Sequence, residues 1–226
     1  MAYAKAVVVN PLLIPRPALT IDDPWAHILD FFQDGSSSAN WGAYDAYVAF
    51  GESPSNRIIT TDVKVINSTM SARAPYVDWA DVIKSGTLPE LSRIALSIDL
   101  FLTSDKVWRS NRVPERLEDL FGRVIGRGIG IARSSKVLHI KRPRLIPICD
   151  SYVLRLMGIP GDDGASVVAL VQHLRELRSA LLPTLRDLRR RLRKQGIDRS
   201  LLRIADGLIW GSHPDTWVQR HQIQRS

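Results

Sequence analysis

Apolar residues recur at helical spacing along most of the chain. In "TIDDPWAHILDFF" (residues 20–32), Trp25, Ile28, Leu29 and Phe32 share one face, Thr20 is placed to cap, and Asp22 and Asp23 suit the positive end of a helix. "WGAYDAYVAF" (41–50), "TTDVKVINSTM" (60–70) and "DWADVIKS" (78–85) predict three short helices. In "LPELSRIALSIDLFLTS" (88–104), Leu91, Ile94, Ala95, Ile98 and Leu102 predict a longer, buried one. "PERLEDLFGRVI" (114–125) opens with Pro114 at a favoured first position and sets Leu117, Leu120, Phe121 and Val124 on one side. "IARSSKVLHI" (131–140) carries small residues for close packing, and "DSYVLRLMG" starts a helix at Asp150 and stops it at Gly158. Residues 165–196 predict a long helical region interrupted or kinked at Pro183, and "SLLRIADGLIWG" supplies a last amphipathic helix. The Pro-rich 10–18 reads as irregular and 34–40 as a loop. With no two-residue alternation and no internal repeat, the expected fold is all-α.

Composition narrows the classes. At 226 residues and 45% hydrophobic, the chain can bury one substantial core or two small lobes. No apolar run approaches the roughly 20 residues needed to span a bilayer, and no basic leader with a cleavage site is visible. No membrane partner is therefore expected. The single Cys149 excludes an internal disulfide, a multi-thiolate zinc site and a cysteine-held iron–sulfur cluster, and fits a reducing, cytoplasmic setting. Histidines 27, 139, 173, 213 and 221 show no paired ligand spacing, so zinc is not expected and His139 reads as a packing residue.

The net charge of +8 is uneven: residues 1–100 hold 7 Lys and Arg against 11 Asp and Glu, and residues 101–226 hold 24 against 12. Clustered cations are rewarded by a polyanion, whose phosphates release counterions on binding. A merely solvated basic face is the alternative.

The densest chemistry lies in "GRGIGIARSSKVLHIKRPRLIPICD" (126–150). The glycines follow a helix rather than a strand, which rejects a dinucleotide fingerprint, and no Gly-Lys-Ser/Thr closes a phosphate loop. The remaining reading is a helix-hairpin-helix, in which Gly126, Gly128, Ile129 and Gly130 turn the chain and aim backbone N–H groups at a DNA phosphate while Ile129 plugs the gap. A tight corner between two helices is the alternative explanation of the glycines.

"VIGRGIGIARSSKVL" followed by "RLIPICDSYVLRL" resembles the helix-hairpin-helix DNA glycosylase superfamily, strongly over about 40 residues. "SKVLHIKRPRLIPICDSYV" also resembles an uncharacterised bacterial domain family within it. The resemblance implies an all-helical protein with an N-terminal lobe of roughly 1–105, a basic lobe of roughly 106–226, and DNA clamped between them. A hairpin carbonyl site for a monovalent cation is the only cofactor implied, and a monomer is the expected state. Bifunctional members carry a Schiff-base lysine two positions after the second hairpin glycine, where this chain has Ala132. Asp150 lies 18 positions beyond it, at the family separation. Lys136, one helical turn along, is expected on a different part of the surface. The implied class is a monofunctional enzyme that leaves an abasic site.

Breaking a glycosidic bond develops positive charge on the sugar, so Asp150 in a water-poor cleft could stabilise that charge and orient the attacking water. An Asp opening a helix is also an ordinary N-cap. The base must be flipped into a pocket, for which Trp41, Tyr44, Asp45 and Tyr47 are candidates, although aromatics at helical spacing are also core residues. Trp108, Asn111, Trp210 and Trp217 are weaker candidates, and Glu52 is one for protonating the leaving base. Arg133, Ser134, Lys136, Lys141, Arg142 and Arg144 are the expected phosphate contacts, with "RDLRRRLRK" (186–194) as a second basic surface. The expected activity is excision of a damaged or modified base, in repair or against phage DNA. A non-catalytic helix-hairpin-helix DNA-binding module is the alternative.

Overall fold

The computed structural model describes residues 12–15, 18–33, 41–51, 53, 55–70, 72–126 and 128–213. The candidates Glu52 and Trp217, and the side chain of Trp41, lie outside the described set.

The protein is mostly helical, with one small departure near its start. Strands β1 (Leu12–Pro15) and β2 (Ala18–Ile21) pair antiparallel, Leu12 opposite Ile21, where the sequence reading expected irregular chain. Thr20 therefore belongs to β2. The cap of α1 (Pro24–Gln33) is Asp23, whose Oδ1 accepts from the N–H groups of Trp25 and Ala26 at 3.0 Å. Helices α2 (Trp41–Phe50), α3 (Thr60–Met70) and α4 (Tyr76–Lys84) follow the apolar spacing closely.

The predicted long helix over 88–104 is not formed. Only α5 (Pro89–Ser92) is helical there, and the chain continues in turns to α6 (Asp105–Ser110). The competing bonds explain why. Arg142 takes the carbonyls of Leu91 and Ile94, while the Asp99 carboxylate accepts from the N–H groups of Phe101 and Leu102 at 2.9 and 3.0 Å. Leu91, Ile94 and Ile98 are buried as expected, but Ala95 and Leu102 are exposed.

Helix α7 (Val113–Val124) buries Val113, Leu117, Leu120, Phe121 and Val124. A glycine turn leads into α8 (Ile131–Lys141), and a buried stretch 145–149, turning at its start, leads to α9 (Ser151–Leu156). The long C-terminal helical region breaks at Leu177, between α10 (Gly164–Glu176) and α11 (Arg178–Lys194). Pro183, the expected breaker, is accommodated inside α11. Helix α12 (Leu201–Gly211), capped by the Ser200 hydroxyl, is buried along almost its whole length against α1, α9 and α11. Gly207 allows that approach to α1, since a Cβ there would lie 2.7 Å from Ile28 and 2.8 Å from Phe31. One core runs through the described residues, joining Ile28 and Phe31 to Tyr44, Trp79, Phe121, Leu138 and Ile204.

Candidate functional site

The chain reverses between α7 and α8 with few bonds. Gly126 and Ile129 exchange backbone hydrogen bonds at 3.1 and 2.9 Å, and Ile129 is buried against the core. Gly128 has φ +77°, a left-handed conformation that suits glycine, and a Cβ there would collide with the Asp78 carboxylate at the start of α4. Arg133 ties the turn down: it donates to the carbonyls of Ala72 and Arg73 at 3.2 and 2.6 Å and to that of Gly128, and lies 3.6 Å from Asp78. The glycines at 126, 128 and 130 remain exposed. Among the described residues, the N–H groups of Gly128, Gly130, Ile131 and Ala132 find no protein acceptor. A helix start with unsatisfied donors is a place for an anion.

Asp150 caps α9. Its Oδ1 accepts from the N–H groups of Tyr152 and Val153, each at 3.0 Å, and its Oδ2 accepts from the Trp210 indole at 3.1 Å. The carboxylate is half-buried and fixed by three donors from two helices. Ser135 on α8 anchors the preceding residue, exchanging hydrogen bonds with the backbone of Cys149 at 2.9 and 3.0 Å.

Lys136, expected on a different part of the surface, lies within electrostatic reach of this carboxylate, with no ion pair between the two. Residues four apart in a helix lie on the same face, so Lys136 occupies the side of α8 that Ala132 begins. Its Nζ donates to the Met70 carbonyl at 3.4 Å. Burial lowers its proton affinity, and the negative charge of Asp150 works against that lowering.

Several residues expected at a DNA surface are internal instead. Lys141 is 2% exposed and forms a 2.5 Å ion pair with Asp62, which also accepts from Tyr47, Ser53 and the N–H of Ile59. Arg142 is 3% exposed and spends its guanidinium on Ser55, Asn56, Leu91 and Ile94, with burial pushing it down to about 10. Ser134 is buried, its hydroxyl bonded to the carbonyls of Gly130 and Ile131. These three are corrected to structural staples: apolar positions on α8 pull their neighbours inward, and each polar group is satisfied there. Arg133 is a clamp on the turn, while Arg144 stays exposed.

The expected base pocket does not assemble around Asp150. Tyr44 is fully buried and donates to the Lys136 carbonyl at 2.8 Å, and Tyr47 donates to Asp62 at 2.9 Å, so both serve the core. Asp45 is held by Arg199 and Arg203, each through Nε at 2.8 Å, and lines a cavity of about 470 Å³ of which Asp150 is not a lining residue. Trp108 is buried under Arg175. The indole of Trp210, 60 positions from Asp150, had no local signal to reveal its role; the position of Lys136 was readable from the four-residue spacing.

A family model described as a family of unknown function, DUF6308, matches residues 25–213, and the chain belongs to that family. No curated protein and no solved structure matches it.

Proposed function

We propose that this protein is a monofunctional DNA N-glycosylase of helix-hairpin-helix type, with Asp150 as the catalytic carboxylate. The observation that carries the reading is an exposed glycine turn with open backbone donors at the start of α8, and a carboxylate held fixed by three donors just after the Cys149 that Ser135 of α8 anchors. In this reading the turn holds a strand phosphate and an altered nucleotide is extruded toward Asp150. As the C–N bond breaks, the electron pair leaves with the base, the carboxylate faces the cationic sugar, and a water adds at the anomeric carbon while its proton goes to the departed base. The Lys136 ammonium stabilises the negative charge that the departing base acquires. The Gly128 carbonyl of the turn accepts from Arg133.

The non-catalytic DNA-binding reading has its own support: the Oδ1 contacts of Asp150 are those of an ordinary cap. Measuring binding and base release in parallel separates the two. DNA carrying alkylated, deaminated, oxidised or phage-type hypermodified bases is incubated with the protein and treated with alkali. Cleavage at abasic sites that disappears in Asp150→Asn, with binding retained, is the expected result. Binding without cleavage on every substrate leaves the binding module as the function.

A further inference from the structure

A second feature stands apart from Asp150. The cavity of about 470 Å³ lies where α2, the turn at 99–102, the 143–144 segment and the chain from α11 into α12 meet. A cavity of that size is within the range of small-molecule sites. Its lining divides by chemistry. Val48, Ala49, Leu102, Pro143 and Leu201 give an apolar wall, and Leu102 is 51% exposed although it borders a concave surface. Arg144, Arg189, Arg199 and Arg203 stand against Asp45, Asp99 and Asp198, leaving the lining one positive charge in excess.

The internal pairing leaves specific groups open. Asp45 is consumed by Arg199 and Arg203, and Asp198 by Arg189 and Arg193. Arg199 uses Nε and Nη1, the latter on the Asp198 carbonyl at 2.9 Å, and lies over the Phe32 ring, while its Nη2 has no hydrogen-bond partner among the described residues. The Arg144 guanidinium likewise has none, and is exposed. On the opposite chemistry, Asp99 spends Oδ1 on two N–H groups while Oδ2 accepts from no described residue. Two guanidinium donors, one carboxylate acceptor and an apolar wall thus border one cavity. His139 adds a neutral imidazole, with Nδ1 on the Ile146 carbonyl at 2.7 Å and burial pushing it down to about 4.

We propose that this cavity binds a small molecule with an anionic head and a flat, N–H-bearing body, of the class of a nucleoside monophosphate. Arg144 and Arg199 take the anionic group in charge-assisted bonds, Asp99 accepts from the ring N–H, and Leu102 and Leu201 flank the ring. The site is independent of the proposed base excision, which uses the other end of α8. Arg144 is the specificity residue, because its cation is committed to no internal pair.

Calorimetric titration of the full chain with adenosine and guanosine 5′-monophosphates, adenosine, guanosine and inorganic phosphate tests this. At least one monophosphate is expected to bind at least tenfold more tightly than both its nucleoside and inorganic phosphate. Arg144→Gln should weaken that binding by tenfold or more, while Arg155→Gln, exposed and away from the cavity, leaves it unchanged. Leu102→Ser should weaken the monophosphate but not inorganic phosphate. No monophosphate binding at millimolar concentration overturns the proposal, as does equal binding by Arg144→Gln. Inorganic phosphate binding as tightly as the monophosphates overturns the flat body. None of these readouts involves DNA, so base release can fail or succeed separately.

Discussion

At the residue scale, the carboxylate of Asp150 is held by two backbone N–H groups and one indole. Asp150→Asn keeps the size and the capping oxygen but removes the charge. Under the proposed function, base release should fall by about 100-fold or more, as when a charge-stabilising group is lost, with DNA affinity little changed; single-turnover release and a binding titration measure the two. Asp62→Asn should behave differently, because it strands the buried Lys141 ammonium. It is expected to cost about 3–5 kcal/mol in denaturant unfolding, the usual penalty for breaking a buried pair from one side. The sequence made Asp150 visible through its distance from the glycines. It could not distinguish Lys141 and Arg142 from surface cations, since a basic run looks the same whether its partners are phosphates or, as here, groups within residues 53–94 of the same chain.

Elements set where those residues can stand. The turn between α7 and α8 needs glycine at 128 twice over, for its positive φ and for the space against Asp78. Gly128→Ala should therefore lower thermal stability and, if the turn holds a phosphate, DNA affinity as well; Gly126→Ala, whose Cβ would meet nothing, should keep the stability. The helices from α1 to α4 and from α7 to α12 were readable because a 3.6-residue apolar period specifies a buried face. Two details escaped that logic. Residues 88–104 have the period but lose helical bonding to Arg142 and Asp99, which are long-range and local competitors invisible to spacing. The break at Leu177 instead of Pro183 has the opposite lesson, because a proline can sit inside a helix when packing supports it.

For the whole molecule, pH is informative because the core holds titratable groups. Burial pushes His27 and His139 down to about 4 from 6.5, so stability is full above pH 6.5 and lost as pH falls through 4. Asp206, pushed up to about 7 by burial from 3.8, acts in the other direction: its contribution is full below 3.8 and lost as pH rises through 7. Asp206→Asn removes the opposing component, so its melting temperature should climb more steeply from pH 4 to 7 than that of the wild type.

Charge distribution belongs to the same scale. The basic excess of the second half was legible in the sequence, but ion pairs such as Arg175 and Arg178 with Asp105, and Arg193 with Asp198, absorb part of it. What remains should give a DNA affinity that falls linearly with the logarithm of salt concentration. A salt-independent affinity would mean the cations serve the fold alone.

The central claim is that a fixed acidic group severs bases from DNA. Mass spectrometry of free nucleobases, after incubating chemically diverse genomic DNA with wild type or Asp150→Asn, reads it most directly. One altered base should be released by the wild type and none above background by the variant. Equal release by both proteins, or no release from any DNA, would contradict it.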